Sequence, residues 1–182
     1  MQNSIKPVVI IALGGNLSAG TYDSGSILAQ AAARLQDEGL TITAASSLWR
    51  SLAWPDPSEP AYINAVVLVE TSEDAPSVLA LLHRVEAAFG RERQRPNQAR
   101  TLDLDLIAYG DLVLDDLGLI LPHPRAHERL FVMGPLCEIA PDWVHPVLKQ
   151  RADALAASAT IGVDAHPVSD FAIHQIRREV RI

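Results

Sequence analysis

The chain has one cysteine and two lysines, and only 5% of its 182 residues are aromatic. Each scarcity removes a class of explanation. A single thiol permits no internal disulfide and no cysteine-based metal centre. Cys137 stands in an apolar run, residues 133–140, where a buried and unreactive thiol is expected. No apolar run approaches the roughly 20 residues needed to cross a bilayer. The N-terminal stretch lacks a signal-peptide layout: Lys6 precedes an apolar run that is too short and ends in Gly14-Gly15. A cytoplasmic protein without membrane contact is the expectation.

Several phosphate motifs are missing too. The chain has no G-x-x-x-x-G-K-[ST] loop, no dinucleotide fingerprint and no protein-kinase signature set. Any nucleotide must therefore bind in another architecture. A net charge of -7 argues against a nucleic-acid partner, which calls for a basic face. A local arginine cluster can still hold a small phosphorylated ligand against that overall sign.

What is present suits one domain, since domains usually hold about 100–200 residues and 48% of this chain is hydrophobic. Residues 8–13 read as a buried strand, closed at Gly14-Gly15-Asn16 by a turn that needs positive φ. A helix capped by Ser24 or Ser26 runs to about Glu38, and residues 40–48 form a second strand. Three prolines in residues 53–60 make a shaped loop. Residues 62–71 give a long strand and residues 75–89 an amphipathic helix. An arginine-rich loop from Arg91 to Arg100 precedes a strand over residues 102–109. Residues 112–114 and 119–121 suit a hairpin, and two or three short helices are expected between Arg125 and Ala140. The order is that of a ferredoxin-like βαββαβ α+β sandwich, with helices on one face of a mostly antiparallel sheet. Residues 1–148 are expected to form the catalytic unit. Residues 149–182 read as an appendage of the same domain: an alanine-rich helix, then a tail whose structure the sequence does not declare.

The strongest chemical feature is Asp103 and Asp105. Residues two apart on a strand share a face, so both carboxylates point together while Leu102, Leu104 and Leu106 enter the core. Such a pair is either a solvated acidic face or a place for magnesium, which takes one or two carboxylates together with phosphate oxygens and waters. Arg91, Arg93 and Arg95 alternate just before it, with Arg100 closer still. Guanidinium matches phosphate oxygens bidentately and stays charged, so the cluster favours the magnesium–phosphate reading over a solvated charge run. His123, held between Pro122 and Pro124, suits phosphate donation and a structural role about equally, with Arg129 nearby. The spacing of His123 and His127 is a weak zinc signal. Tyr62 and Phe131 suit core packing or two walls for a flat heterocycle.

Together, Leu13-Gly14-Gly15-Asn16-Leu17, Tyr62-Ile63-Asn64-Ala65, Glu86 with Gly90-Arg91, Arg100-Thr101-Leu102-Asp103-Leu104-Asp105, Leu121-Pro122-His123-Pro124 and Pro135-Leu136 with Glu138-Ile139-Ala140-Pro141 resemble the ordered blocks of the hydroxymethyldihydropterin pyrophosphokinases. The resemblance covers about residues 8–148. It implies transfer of pyrophosphate from ATP to 6-hydroxymethyl-7,8-dihydropterin in folate biosynthesis, giving AMP. It implies two magnesium ions on Asp103 and Asp105, with Arg91 and Arg93 catalytic. Glu86, Arg91, Arg93, Arg100, Leu106, His123 and Arg129 would form the ATP site. Tyr62 and Phe131 would sandwich the pterin, Asn64 would bind its edge, and backbone around Ser51, Leu52 and Trp54 would read the rest. A monomer is expected.

The chain departs from that family in two places. Many members carry a tryptophan ahead of the arginine-aspartate block, where this chain has Pro96-Asn97-Gln98-Ala99-Arg100. Members often have a Thr-Pro-Pro type segment where Ser51-Leu52-Ala53-Trp54 stands. Two rivals remain: a nucleotidyltransferase with paired aspartates, which releases pyrophosphate where a pyrophosphokinase releases AMP, and a non-catalytic RNA-binding module, whose basic face and sheet aromatics are not evident.

Overall fold

The computed structural model describes residues 7–90, 100–116 and 118–171. Its centre is an antiparallel sheet built on β1 (Val8–Gly15), which lies between β4 (Tyr62–Glu70) and β5 (Asp103–Tyr109). On the far side of β4 lie β2 (Thr41–Ala45) and β3 (Leu48–Ser51), and β8 (His166–Ser169) adds a last strand beyond β3. With helix α1 (Ser24–Asp37) after β1 and helix α2 (Ala75–Ala88) after β4, the path is the expected βαββαβ. A small hairpin, β6 (Leu114–Asp116) with β7 (Leu119–Leu121), follows β5. Its first strand begins where the sequence reading ended it.

The central strands bury both faces, so they read as continuous apolar runs with no alternation. Val9, Ile11 and Leu13 of β1, with Ala65, Val67 and Val69 of β4 and Leu104 and Leu106 of β5, pack under α1 and α2. Ile10, Val66 and Ile107 face the other way, toward α3 (Leu130–Ile139) and α4 (Ala152–Ser158). The expectation of helices on one face alone is therefore corrected. A short 3-10 turn, Ala126–Glu128, leads into α3. Cys137 is only partly buried on α3, because the sealed side of that helix carries Val132, Met133 and Leu136.

Local chemistry explains the other departures. The cap of α1 is Asp23, whose carboxylate accepts from the Ser26 amide at 2.8 Å; Asp74 does the same for the Ser77 amide in α2. The strand expected over residues 40–48 breaks at Ser46. Its hydroxyl accepts from the Val66 amide at 3.0 Å where a backbone carbonyl would otherwise stand. Glu138 of α3 then accepts from the Ser47 amide and the Trp49 indole at 2.7 and 2.8 Å, fixing the start of β3.

Gly14 and Gly15 form no positive-φ turn; they extend β1. Glycine is needed there for proximity, since a Cβ on Gly15 would lie 2.4 Å from the Thr101 carbonyl oxygen. No helix among the described residues is long and apolar enough to cross a membrane.

Candidate active site

Register places the chemical residues in rows across the sheet. Gly14 pairs with Asn64 on one side and Asp103 on the other, and Ala12 pairs with Asp105. These residues share the sheet face that packs on α3, and α3 covers only the end bearing Ile10, Val66 and Ile107. The other end, floored by Ala12 and Gly14, opens as a cavity of about 250 Å³. The small floor residues leave room that valine or isoleucine would fill.

The cavity is rich in titratable side chains. Arg100, His123 and Arg129 line it together with Asp103 and Asp105. Arg100 reaches Asp103 at 2.7 Å. Both aspartates are half-buried, so their charges are partly withdrawn from water and their repulsion is felt. His123 is set by its amide, which donates to the Ile107 carbonyl at 2.8 Å. Its Nδ1 accepts from the Arg125 amide at 3.2 Å, so a neutral ring carries its proton on Nε2. Burial, then the guanidiniums of Arg129 and Arg125, push its pKa down to about 4 against a backbone hydrogen bond and a weaker pull from Asp103. The ring is thus a neutral donor at physiological pH.

Arg129 sits at the start of α3 with its guanidinium 5.7 Å from the Phe131 ring centre. Burial lowers its pKa, opposed chiefly by Asp105, though a guanidinium stays charged. Its Nε is buried with no hydrogen-bond partner among the described residues. A buried donor left so is costly unless a ligand completes it. An anionic oxygen would do so.

The cavity also carries aromatic and amide side chains. Tyr62, at the start of β4, and Phe131, in the first turn of α3, line the same cavity with Ser51, Leu52, Trp54 and Asn64. The Asn64 amide donates to the Ser51 hydroxyl at 3.0 Å, which orients its carbonyl. Arg125 covers Trp54, its guanidinium 5.5 Å from the ring centre.

Most of the expected residues therefore meet in one place. Leu106 and Glu86 are exceptions. The Leu106 side chain is buried in the core under α1 and α2, as period two requires of a residue adjacent to Asp105. Glu86 is 1% exposed and accepts from the Leu104 amide at 2.8 Å. Neither lines the cavity. Arg91 and Arg93, with Arg95, lie outside the described residues. His127 also misses the cavity; its ring meets His145 edge-on at 5.7 Å.

The sequence reading missed Asn16. Its side chain is 6% exposed, donates to the Pro60 carbonyl at 3.0 Å and accepts from the Arg100 amide at 2.8 Å. It thereby ties the proline loop to the backbone of Arg100. Its place in Gly14-Gly15-Asn16 was a visible signal, hidden by reading that motif as a turn.

Comparison with known proteins identifies the family. Residues 10–141 match the family described as 7,8-dihydro-6-hydroxymethylpterin-pyrophosphokinase (HPPK). A 2-amino-4-hydroxy-6-hydroxymethyldihydropteridine pyrophosphokinase of Synechocystis sp. is 41% identical over 137 residues, covering 75% of this chain and 68% of its own. The Haemophilus influenzae protein of that name is 37% identical over 150 residues, covering 79% of this chain and 92% of its own. A crystal structure of Plasmodium falciparum HPPK-DHPS with pteroate aligns at a TM-score of 0.64 and 13% identity, which speaks for the fold alone. That alignment covers 84% of this chain and 44% of the solved one, so this chain spans under half its length. On the match over residues 10–141 and these identities, the chain belongs to the 7,8-dihydro-6-hydroxymethylpterin-pyrophosphokinase family.

Proposed function

We propose that the cavity joins ATP and 6-hydroxymethyl-7,8-dihydropterin, and that the chain transfers pyrophosphate between them in folate biosynthesis. The observation that carries this reading is that one cavity is lined by two chemically distinct sets of side chains. Asp103 and Asp105 with Arg100, His123 and Arg129 form one set, and Tyr62, Asn64 and Phe131 form the other. The first suits a polyphosphate, the second a flat heterocycle with polar edges.

In this reading the pterin's hydroxymethyl oxygen attacks the β-phosphorus of ATP. A new oxygen–phosphorus bond forms as the bond from that phosphorus to the α–β bridging oxygen breaks, AMP leaves in line, and the hydroxyl proton passes to water. Such a transfer is accelerated chiefly by positioning and charge neutralisation. Tyr62 and Phe131 fix the ring plane, and Asn64 selects its edge. Arg100 and Arg129 hold phosphate oxygens, and His123 donates from Nε2 without bearing a charge. Arg91 and Arg93 belong to the same phosphate-binding set.

The donor chemistry at Asp103 and Asp105 fits magnesium, whose oxygen preference and usual one or two carboxylates match a pair facing a phosphate site. Among the described residues no group of three or more His, Cys, Asp or Glu side chains could hold a metal. This pair alone is a poor cage, so two magnesium ions would arrive with the nucleotide. When bound, they would neutralise charge developing on the phosphate oxygens. Residues 149–182 are proposed to belong to the same domain, and the chain to act as a monomer in the cytoplasm.

The test is incubation of the protein with ATP, magnesium and the pterin alcohol, with products resolved by chromatography. AMP and pterin diphosphate should appear in equal amounts. Pyrophosphate release would point to nucleotidyl transfer, and ADP to a simple kinase; either would overturn the assignment.

A further inference from the structure

After α4 the chain crosses back over the site. The amides of Thr160 and Ile161 both donate to the Glu128 carbonyl, at 3.0 and 2.9 Å, and the Leu130 amide donates to the Ile161 carbonyl at 2.8 Å. The backbone of Arg129 is thus bracketed on both sides. The next residue is Gly162, with φ of +67°. A Cβ there would lie 2.5 Å from Cδ1 of the Phe131 ring, so the ring packs where a side chain would stand. A turn follows, closed by the Ala165 amide donating to the Gly162 carbonyl at 2.9 Å. Inside it, Asp164 accepts from the Leu52 amide at 2.6 Å. The chain then enters β8, which pairs His166 with Arg50 and Pro167 with Trp49, next to Ser51.

One short segment therefore touches two of the residues that line the cavity: Phe131 on α3 and Leu52 beyond β3. A ring against glycine has a fixed depth, and an amide bonded to a carboxylate has a fixed direction.

We propose that Gly162 and Asp164 are positioning residues for the pterin. They act as a strap that sets the gap between Phe131 and the Leu52 loop without touching substrate. The proposal rests on the pterin reading of that cavity.

Steady-state kinetics on the full chain test it, with KM measured separately for the pterin alcohol and ATP and with Tm recorded. Asp164→Ala should raise the pterin KM about tenfold, in line with loss of a hydrogen bond to a charged group, with the ATP KM within about twofold. Asp164→Asn keeps an acceptor for the Leu52 amide and should recover most of the loss. Gly162→Ala should raise the pterin KM at least as much, by displacing the ring. Val163→Ser, at a position 67% exposed, should change neither constant.

An unchanged pterin KM in Asp164→Ala would overturn the proposal. So would equal changes for both substrates accompanied by a drop in Tm, which marks a merely structural role. Tyr62→Ala separates the two levels, since it should weaken pterin binding and spare ATP. If Tyr62→Ala does so while Asp164→Ala is silent, the strap alone fails. If Tyr62→Ala leaves the pterin KM unchanged, the pterin slot itself is misassigned and the strap falls with it.

Discussion

Asn16 and Arg100 are joined in both directions: the Arg100 amide donates to the Asn16 side-chain oxygen at 2.8 Å, and the Asn16 amide donates to the Arg100 carbonyl at 3.0 Å. Arg100 meets Asp103 at 2.7 Å, so the backbone at Asn16 helps set where this cavity-lining cation stands. The same side chain reaches the Pro60 carbonyl.

Asn16→Ala would leave the Arg100 amide and the Pro60 carbonyl without this partner. A loss of about 1 kcal/mol in stability is expected for each hydrogen bond removed, together with a raised KM for ATP. Asn16→Asp keeps the acceptor for Arg100 and loses the donor for Pro60, so ATP binding should be restored ahead of pterin binding. Thermal melts and separate KM measurements check this. Identical behaviour of the two variants would deny Asn16 its bridging role.

Asp105 stands opposite Ala12 at the cavity floor. Asp105→Ala should cut turnover by roughly 100-fold or more, the scale for removing a group that serves the charge-developing centre, and should raise the magnesium concentration needed for half-maximal rate. The fold should survive, because the apolar packing of β5 comes from Leu104, Leu106 and Ile107. Retained turnover with unchanged magnesium dependence would show the metal assignment to be wrong.

His123 carries a pH signature. Its pKa falls from 6.5 to about 4 in the folded chain because burial and Arg129 disfavour the cation. Between those values the unfolded state binds the proton more readily than the folded one, so stability rises with pH across that window. The contribution is fully present above about pH 6.5 and is lost as pH falls through 4, up to about 3 kcal/mol. Denaturant melts of the wild type against His123→Gln between pH 4 and 7 measure it. The variant should lack that part of the pH dependence. Parallel curves for the two proteins would mean that His123 ionises with an ordinary pKa.

Much of this was legible along the chain wherever the signal is local. Alternation across Thr101 to Leu106 put the two acids on one face and the leucines on the other, and the structure agrees. The helical spacing of Val78, Leu81, Leu82 and Val85 marked α2, all four buried. Features that depend on distant chain escaped. Gly15 is required by the Thr101 carbonyl, which no local window shows. Ser46 breaks a strand only because the Val66 amide bonds its hydroxyl. β8 is four exposed residues including a proline, and it exists because β3 offers an edge. Among candidate site residues, the strand acids were marked by their position, whereas Tyr62 and Phe131 suited core packing as well as ring walls until the family likeness was added. Leu106 was assigned to the ATP site through family likeness, against its own strand parity, which sends its side chain to the opposite layer.

The floor of Ala12 and Gly14 belongs to β1, held between β4 and β5 by backbone ladders on both edges. How deep a substrate can sink is consequently decided by the girth of two strand positions. Drift in the segments around the rim, residues 53–60 among them, can retune capture and release while the reacting centre keeps its depth. Widening Ala12 to valine would do the reverse, leaving the entrance unaltered and lifting whatever rests inside.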